Sequence, residues 1–443
     1  MPVDLARTAI VRVRVALQTS AALVVNSAAL AIGAISTAGL GVAYWCLAAR
    51  LFPPEAIGKA SAILSVIGLV GLLGDAGIGT MLMGEIVRHP GKAPNLVAAA
   101  ASVGVALAVG LALSFVFGAH LMSSISLIDG WFEGVVFVLG CGLVVISKVA
   151  DQALIGSLRS TGRMVRDVLF SVFKLVLIVA AAAAGSASDA AIILTWVAAL
   201  LASWISIDLL TRGGARRLVG TPDFHLLHTL RDKVVGHYAL DVALQAPLII
   251  MPYLVLILLT PTTTAAFASM WMLVSTAVVI PAVLATVLFP VVRAGPKQSR
   301  HHFLVSLTAS LLFSLACAAF IFTYSQEILD IFNPAYREIA GSSLRFVGFS
   351  LLGLTLKFHA CTLARLGDTM RRASLWFALG GLLELGFVVA GAKLGGLEGL
   401  VLGWTLAVSI EGACVGLVWI FATKLGFAAS PVHEFTAPPP LQI

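Results

Sequence analysis

Arg50-Leu51-Phe52-Pro53-Pro54-Glu55-Ala56-Ile57-Gly58-Lys59, followed by an apolar run from Ala60 to Ile86 and closed by Arg88, is the stretch whose reading decides the fold. The Pro-Pro pair marks a tight turn, because proline locks φ and restricts the residue before it. The run behind it exceeds the roughly 20 residues that cross about 30 Å of hydrocarbon. One carboxylate, Asp75, sits near its middle, about 16 residues from Lys59 and 13 from Arg88. It reaches neither interface. A charge at that depth costs about 2.5–3.5 kcal/mol on insertion scales and faces a protein interior or a wet cavity. A turn, a membrane helix and an internal polar site are expected together.

Composition carries the same reading to the whole chain. Of 443 residues, 60% are hydrophobic and 11% charged, against about a quarter charged in soluble domains. The fold class expected is an all-α polytopic membrane protein with twelve transmembrane helices. Spans are placed near 21–47, 60–85, 95–118, 133–157, 166–185 and 189–210, then 237–260, 264–291, 303–324, 343–364, 372–392 and 398–423. Val3 to Gln18 has arginines on one side and aliphatic residues on the other, an interfacial helix pattern. The apolar segment behind it is too long for a signal h-region, so no cleavable signal is expected. Cys46, Cys141, Cys317, Cys361 and Cys414 show no paired or metal-type spacing and read as small core residues. Tyr44, Trp45, Phe52, Trp131 and Phe132, near the less basic face, read as interfacial anchors.

Twenty of the 28 Lys and Arg residues fall in one alternating set of connections. The other set holds Arg50, Lys59, Arg337 and Lys393, and four more lie inside spans. That asymmetry predicts both termini in the cytoplasm. It also accounts for the net charge of +7 without a nucleic-acid partner. The expected organisation is an interfacial segment over 1–20, an N-lobe over 21–210 and a basic cytoplasmic linker over 211–236. A C-lobe over 237–424 and a cytoplasmic tail over 425–443 complete it.

The second half echoes the first at an offset of about 206 to 208 residues. Trp196 matches Trp404, Arg159 and Arg166 match Arg365 and Arg372, Ala60-Ser61 matches Ala268-Ser269, and Pro90 matches Pro296. Each half has an even number of spans, so the two six-helix lobes are expected to be related by a parallel pseudo-twofold along the membrane normal. Transporters use such repeats around a central path.

Leu51-Phe52-Pro53-Pro54-Glu55-Ala56-Ile57-Gly58 with Leu73-Gly74-Asp75-Ala76-Gly77-Ile78-Gly79 resembles the N-terminal pattern of oligosaccharide flippases, the Wzx-type polysaccharide transporters of the MOP exporter superfamily. Ala266-Phe267-Ala268, Leu288-Phe289-Pro290, Ile331-Phe332-Asn333-Pro334-Ala335-Tyr336 and Gly395-Gly396-Leu397-Glu398-Gly399 agree, so the resemblance covers about 20–425. It implies a MATE-like/MOP fold that moves a polyprenyl-pyrophosphate-linked oligosaccharide across the cytoplasmic (inner) membrane of a bacterium by alternating access. Cell-surface polysaccharide (lipopolysaccharide) biosynthesis is the implied setting. Lipid-linked oligosaccharide and membrane lipids are the implied partners, with polysaccharide polymerase machinery a further candidate.

Lys148 and Asp151, spaced i and i+3 in the fourth span, lie on one helix face where they can pair. They read either as a cavity wall that meets pyrophosphate or sugar, or as a self-neutralised structural pair. Lys174, Arg345 and Lys357 are further intramembrane cations whose collective charge would offset a desolvated pyrophosphate. Asp75 joins these lumen candidates, and so does Asn26, which with Ser36 and Thr37 makes up the polar groups of the first span. Glu384 and Glu411 are deep carboxylates with no basic residue within one turn, which suits Na+ or H+ coupling. Asp241 opens the seventh span and joins them. In the lipid II flippase branch carboxylates on the seventh and eleventh helices bind sodium, and Asp241 with Glu384 resembles that placement by helix. Asp208 and Arg212 read as an interfacial pair. Pro247 and Pro252 each remove a helix hydrogen bond and mark either a moving hinge or a static kink.

A flippase therefore leads. A MATE-like drug or small-cation exporter is the alternative, with an acidic, aromatic lumen expected; the first span lacks the aspartate that branch often carries. A membrane glycan polymerase or ligase is remote, because no large outer loop, nucleotide loop, zinc spacing or nucleophile constellation is present. No enzyme activity, no cofactor and no resident metal are expected.

Overall fold

The computed structural model describes residues 2–121, 127–128, 130–213, 220–294, 299–367 and 369–424. The chain folds as helices α1 (Pro2–Leu51), α2 (Pro54–Asp75), α3 (Ile78–Arg88), α4 (Ala93–Leu121), α5 (Trp131–Gly156), α6 (Ser160–Ala183) and α7 (Asp189–Leu210). The second half holds α8 (Phe224–Thr229), α9 (Arg231–Leu258), α10 (Pro261–Ala277), α11 (Val279–Ala294), α12 (Ser299–Phe332) and α13 (Pro334–Ala340). A 3-10 segment over Ser343–Phe349 then leads into α14 (Ser350–Leu366) and α15 (Met370–Lys424).

Ten stretches among the described residues are long and apolar enough to cross a membrane. One of them, Met370–Gly416, has 47 residues, or roughly 70 Å of helix at 1.5 Å per residue, more than twice the hydrocarbon thickness. It bends at Gly395 and Gly396, where φ is −148° and 56°, and makes two crossings over 370–394 and 397–424. The remaining crossing is α6, whose 24 residues carry Arg163, Arg166, Asp167 and Lys174. The chain is thus a multi-pass membrane protein with twelve crossings. The segment 1–20, expected as a separate interfacial helix, instead runs on into the first span as part of the 50-residue α1.

Two lobes repeat one packing scheme. In the first, α1 packs on α6, α6 on α7, and α4 on α5. In the second, α9 packs on the first half of α15, and α12 and α15 both pack on α14. The lobes meet where α2 lies along α9 and α10 and where α1 meets α10. Pro54 and Pro261, repeat-related by position, each stand in the first turn of their helix, where a missing N–H is harmless and the fixed φ favours helix entry. These two ends press together so closely that a Cβ on Gly58 would lie 1.8 Å from the Pro261 carbonyl oxygen. Asn333 Nδ2 donates to the Ala49 carbonyl at 2.7 Å and Arg50 Nε to the Ile331 carbonyl at 2.9 Å. One end of the lobe interface is therefore closed by backbone contact.

Tyr44 and Phe52 are buried in this region, at 0% and 4% exposure, and belong to the core rather than the interfacial anchors expected of them. Trp131 and Phe132 are exposed, Trp131 at 82%. Tyr336 on α13 is buried, and burial, then the Glu55 carboxylate, push its phenol up from the ordinary range, so it stays neutral.

Candidate functional site

The run from Ala60 to Ile86, expected as one helix, is broken in its middle. α2 ends at Asp75, Ala76 and Gly77 adopt left-handed φ of 47° and 70°, and α3 restarts at Ile78. A left-handed alanine costs roughly 1–2 kcal/mol, so the surroundings must hold the break open. They do so from both sides. Asp75 Oδ1 accepts the Gly79 N–H at 3.2 Å, which satisfies a donor in the first turn of α3. Across the lobe interface, Tyr238 O–H donates to the Leu73 carbonyl at 3.2 Å. Gly77 is required here twice over, by its φ and because a Cβ would sit 2.6 Å from Tyr238 Cβ.

This break opens onto a cavity of about 190 Å³ between the lobes. Asp75, Gly77 and Thr80 form one wall, with Leu72 beside them. Lys148, Asp151 and Gln152 from α5, with Arg163 from α6, form a second. Tyr238, Asp241 and Gln245 from α9 of the other lobe form the third. Lys148 faces the carboxylates of Asp75 and Asp241 across this space. Asp241 is gripped at Oδ1 by Arg365 Nη2 at 2.7 Å and reached at Oδ2 by the Thr80 hydroxyl at 3.4 Å. Thr80–Asp241 and Tyr238–Leu73 are thus side-chain contacts between lobes at the end opposite the Gly58–Pro261 closure, the end that also carries Arg88 and Arg163.

Of the two readings of Lys148 and Asp151, the pair along α5 does not form, and both residues line the cavity. Asp151 instead binds Arg166 of α6, a guanidinium that also binds Asp167 and stacks over Trp204 at 5.2 Å. Trp204 is itself held by a 2.7 Å bond to Ser147. A planar guanidinium from the facing helix meets a carboxylate with better geometry than a lysine one turn along the same helix. Lys148 is left to the cavity.

Other expected lumen residues lie elsewhere. Lys174 is buried inside the first lobe, 5.1 Å from the ring centres of Tyr44 and Phe170. Arg345 stacks on Phe346 at 4.7 Å and Phe322 at 5.5 Å in the second lobe. Cation–π contact engages both within a lobe. Asn26 Oδ1 accepts the Ser160 N–H at 2.8 Å and so holds the start of α6. Lys357 is fully buried, with Nζ 2.5 Å from Glu384 and 2.8 Å from Glu411. The two glutamates expected to lack a basic neighbour share this one. Asp241, placed with them by the sequence reading, lines the interlobe cavity instead.

Pro247 and Pro252 lie inside an uninterrupted α9. Among the described residues, breaks fall instead at Ala76–Gly77, at Val278 between α10 and α11, at Tyr324 inside α12 and at Gly395–Gly396. Pro281 explains the second: three residues into α11 its ring clashes with the carbonyl four residues back.

Thr80, Gln152, Arg163, Tyr238, Gln245 and Arg365 were missed by sequence reasoning. A signal existed for some of them. Tyr238, Asp241 and Gln245 recur at i, i+3 and i+7 on one face of an apolar helix, as do Lys148, Asp151 and Gln152 at i, i+3 and i+4. Arg365 carried no local signal.

Sequence comparison finds no matching family model and no matching curated protein. Comparison of folds finds several solved structures. An inward-facing conformation of a multidrug resistance MATE family transporter of the MOP superfamily superposes with a TM-score of 0.70 at 14% identity, covering 91% of this chain and 96% of that one. An outward-facing conformation of such a transporter gives 0.64 at 15% identity over 90% and 96%. MATE in its straight conformation gives 0.64 at 15% over 91% and 97%. The fold is the MATE fold.

Proposed function

We propose that this chain is an alternating-access transporter whose interlobe cavity receives the polar head of an anionic, lipid-linked glycan and passes it across the cytoplasmic membrane. The observation that carries this reading is the cavity lining. Thr80, Gln152, Tyr238 and Gln245 offer neutral hydrogen-bonding groups and Lys148 offers positive charge opposite Asp75, while Arg163 is shared with Asp167. Hydroxyl-rich sugar and pyrophosphate match such a set. An apolar cationic drug would call for aromatic and acidic walls; among the described residues Tyr238 is the one aromatic ring in the lining, Asp151 and Asp241 are paired with arginines, and Asp75 stands opposite Lys148.

The cavity is below the roughly 300–1,000 Å³ of an ordinary ligand pocket, so the lobes must part to load. The weaker closure is the one expected to open. At the basic end it rests on Gly77 packed against Tyr238 and on two hydrogen bonds, 3.2 and 3.4 Å long, whereas the opposite end packs Gly58 on the Pro261 backbone and adds hydrogen bonds of 2.7 and 2.9 Å. With the basic end in the cytoplasm, loading occurs from the side where lipid-linked glycans are built.

Reconstituted protein is expected to move a fluorescent polyprenyl-pyrophosphate glycan between leaflets, and Lys148→Ala to slow it at least tenfold with unchanged protein level. Unimpaired flipping in Lys148→Ala would remove that lysine from the site. Transport of cationic dyes with no movement of the lipid-linked glycan would replace this reading with the drug-exporter one.

A further inference from the structure

We infer that Lys357, Glu384 and Glu411 form a proton-binding site inside the second lobe, in which the two carboxyl groups share one proton and the lysine ammonium fills the place of a metal cation. Lys357 Nζ donates to Glu384 Oε1 at 2.5 Å and to Glu411 Oε2 at 2.8 Å. Lys357 and Glu384 are fully buried, and Glu411 is 8% exposed. Fully ionised, two carboxylates and one ammonium leave a net charge of −1 in a dry interior, where an uncompensated charge is resolved by neutralisation.

Glu384 Oε2 and Glu411 Oε1 are buried without a partner, and the two carboxyl groups converge on one ammonium. Two carboxylates cannot bond each other; a carboxylic acid and a carboxylate can. One proton therefore removes both the excess charge and the unpaired oxygens. A metal ion bridging the same oxygens would meet the ammonium already there. Among the described residues no group of His, Cys, Asp and Glu is suited to a metal ion.

The surrounding elements leave this charge balance to the triad. On α9, Asp241 is committed to Arg365 of α14. His359 on α14 is bonded to Ser306 of α12 and to its own helix carbonyl at Thr355. Arg345, just before α14, is stacked on two phenyl rings. Arg371, Arg372, Lys393 and Glu398 on α15 are exposed, as are Arg300, His301 and Glu327 on α12; His302 and Asp330 sit toward its two ends.

The site is also built by packing. A Cβ on Gly380 would lie 2.1 Å from Glu411 Cδ, so glycine leaves the volume the carboxyl group occupies. The adjoining Gly381 receives Pro247 of α9, whose Cγ would be 2.6 Å from a Cβ there. α9 carries Asp241 and Gln245 into the interlobe cavity. Gain or loss of the proton thus changes the charge packed behind the helix that contacts the substrate space. That consequence rests on the transport reading and names its co-ion; the binding of the proton does not depend on it.

The test is infrared difference spectroscopy on the purified full-length chain in nanodiscs near neutral pH. A protonated-carboxyl stretch that shifts in heavy water is expected in the wild type. Either Glu384→Gln or Glu411→Gln should abolish it, because the remaining Glu–Lys pair is neutral. Lys357→Met should raise it about twofold, both carboxyl groups then being protonated. Sodium should leave it unchanged. The inference is overturned by a wild type with no such band, by a band that survives both glutamine variants, or by a band that sodium removes. The wild-type spectrum and its sodium titration decide the matter even where a variant fails to fold. Loss of flipping with the band intact would count against the transport reading alone.

Discussion

Asp151 shows at the residue scale how a buried ion finds its partner. Its carboxylate is held by Arg166, which is itself fixed by Asp167 and the Trp204 ring. Removing one member of such a buried pair strands the other charge, at a cost of about 3–5 kcal/mol. Arg166→Gln is therefore expected to lower the melting temperature and membrane level of the protein, and Arg166→Gln with Asp151→Asn to recover most of the loss. Equal instability of the single and double variants would show that the pair itself is unimportant. Lys148, which touches none of this network, should change transport and leave melting unaltered.

At the scale of elements, the interrupted second crossing shapes the interlobe cavity. The break at Ala76–Gly77 brings a helix end and a carboxylate to one cavity. Such irregular backbone persists at membrane depth only where protein or water satisfies it. Gly77→Ala places a side chain against Tyr238 in a backbone region that costs roughly 1–2 kcal/mol. It is expected to push α3 from α9 and to increase labelling of a Thr80→Cys reporter by a membrane-impermeant thiol reagent added from the basic side. Unchanged labelling would mean that the Tyr238 contact does not close that side. Ala76→Gly should be tolerated, since it relieves strain without touching a neighbour.

For the whole molecule, the proposed alternating access requires the Pro54–Pro261 end to open in turn. In a background with the five native cysteines replaced, Ala49→Cys with Asn333→Cys should cross-link across the lobes at the site of the 2.7 Å Asn333–Ala49 bond. Cross-linking is expected to stop flipping and reductant to restore it; continued flipping while cross-linked would exclude opening at that end. The repeat carries a charge contrast too. Position 151 corresponds to 357 at the 206-residue offset, and the first is an aspartate held by arginine while the second is a lysine held by two glutamates. Each lobe neutralises its own deep charge, so the shared cavity is left with Lys148 and Asp75.

What the amino-acid sequence determined by itself was everything set by local pattern: apolar runs of crossing length, the Pro-Pro turn, the duplicated halves and the basic asymmetry of the connections. Helix formation in a bilayer is a local matter, because every backbone group must be satisfied within its own segment. Tertiary structure alone decided which charges meet. Arg365 joins Asp241 across 124 residues, and Lys357 reaches Glu384 and Glu411 across 27 and 54. The broken second crossing belongs with these, since Tyr238 from the other lobe holds it open. Pairing energies depend on distance in space rather than along the chain, and only the packed lobes supply that distance.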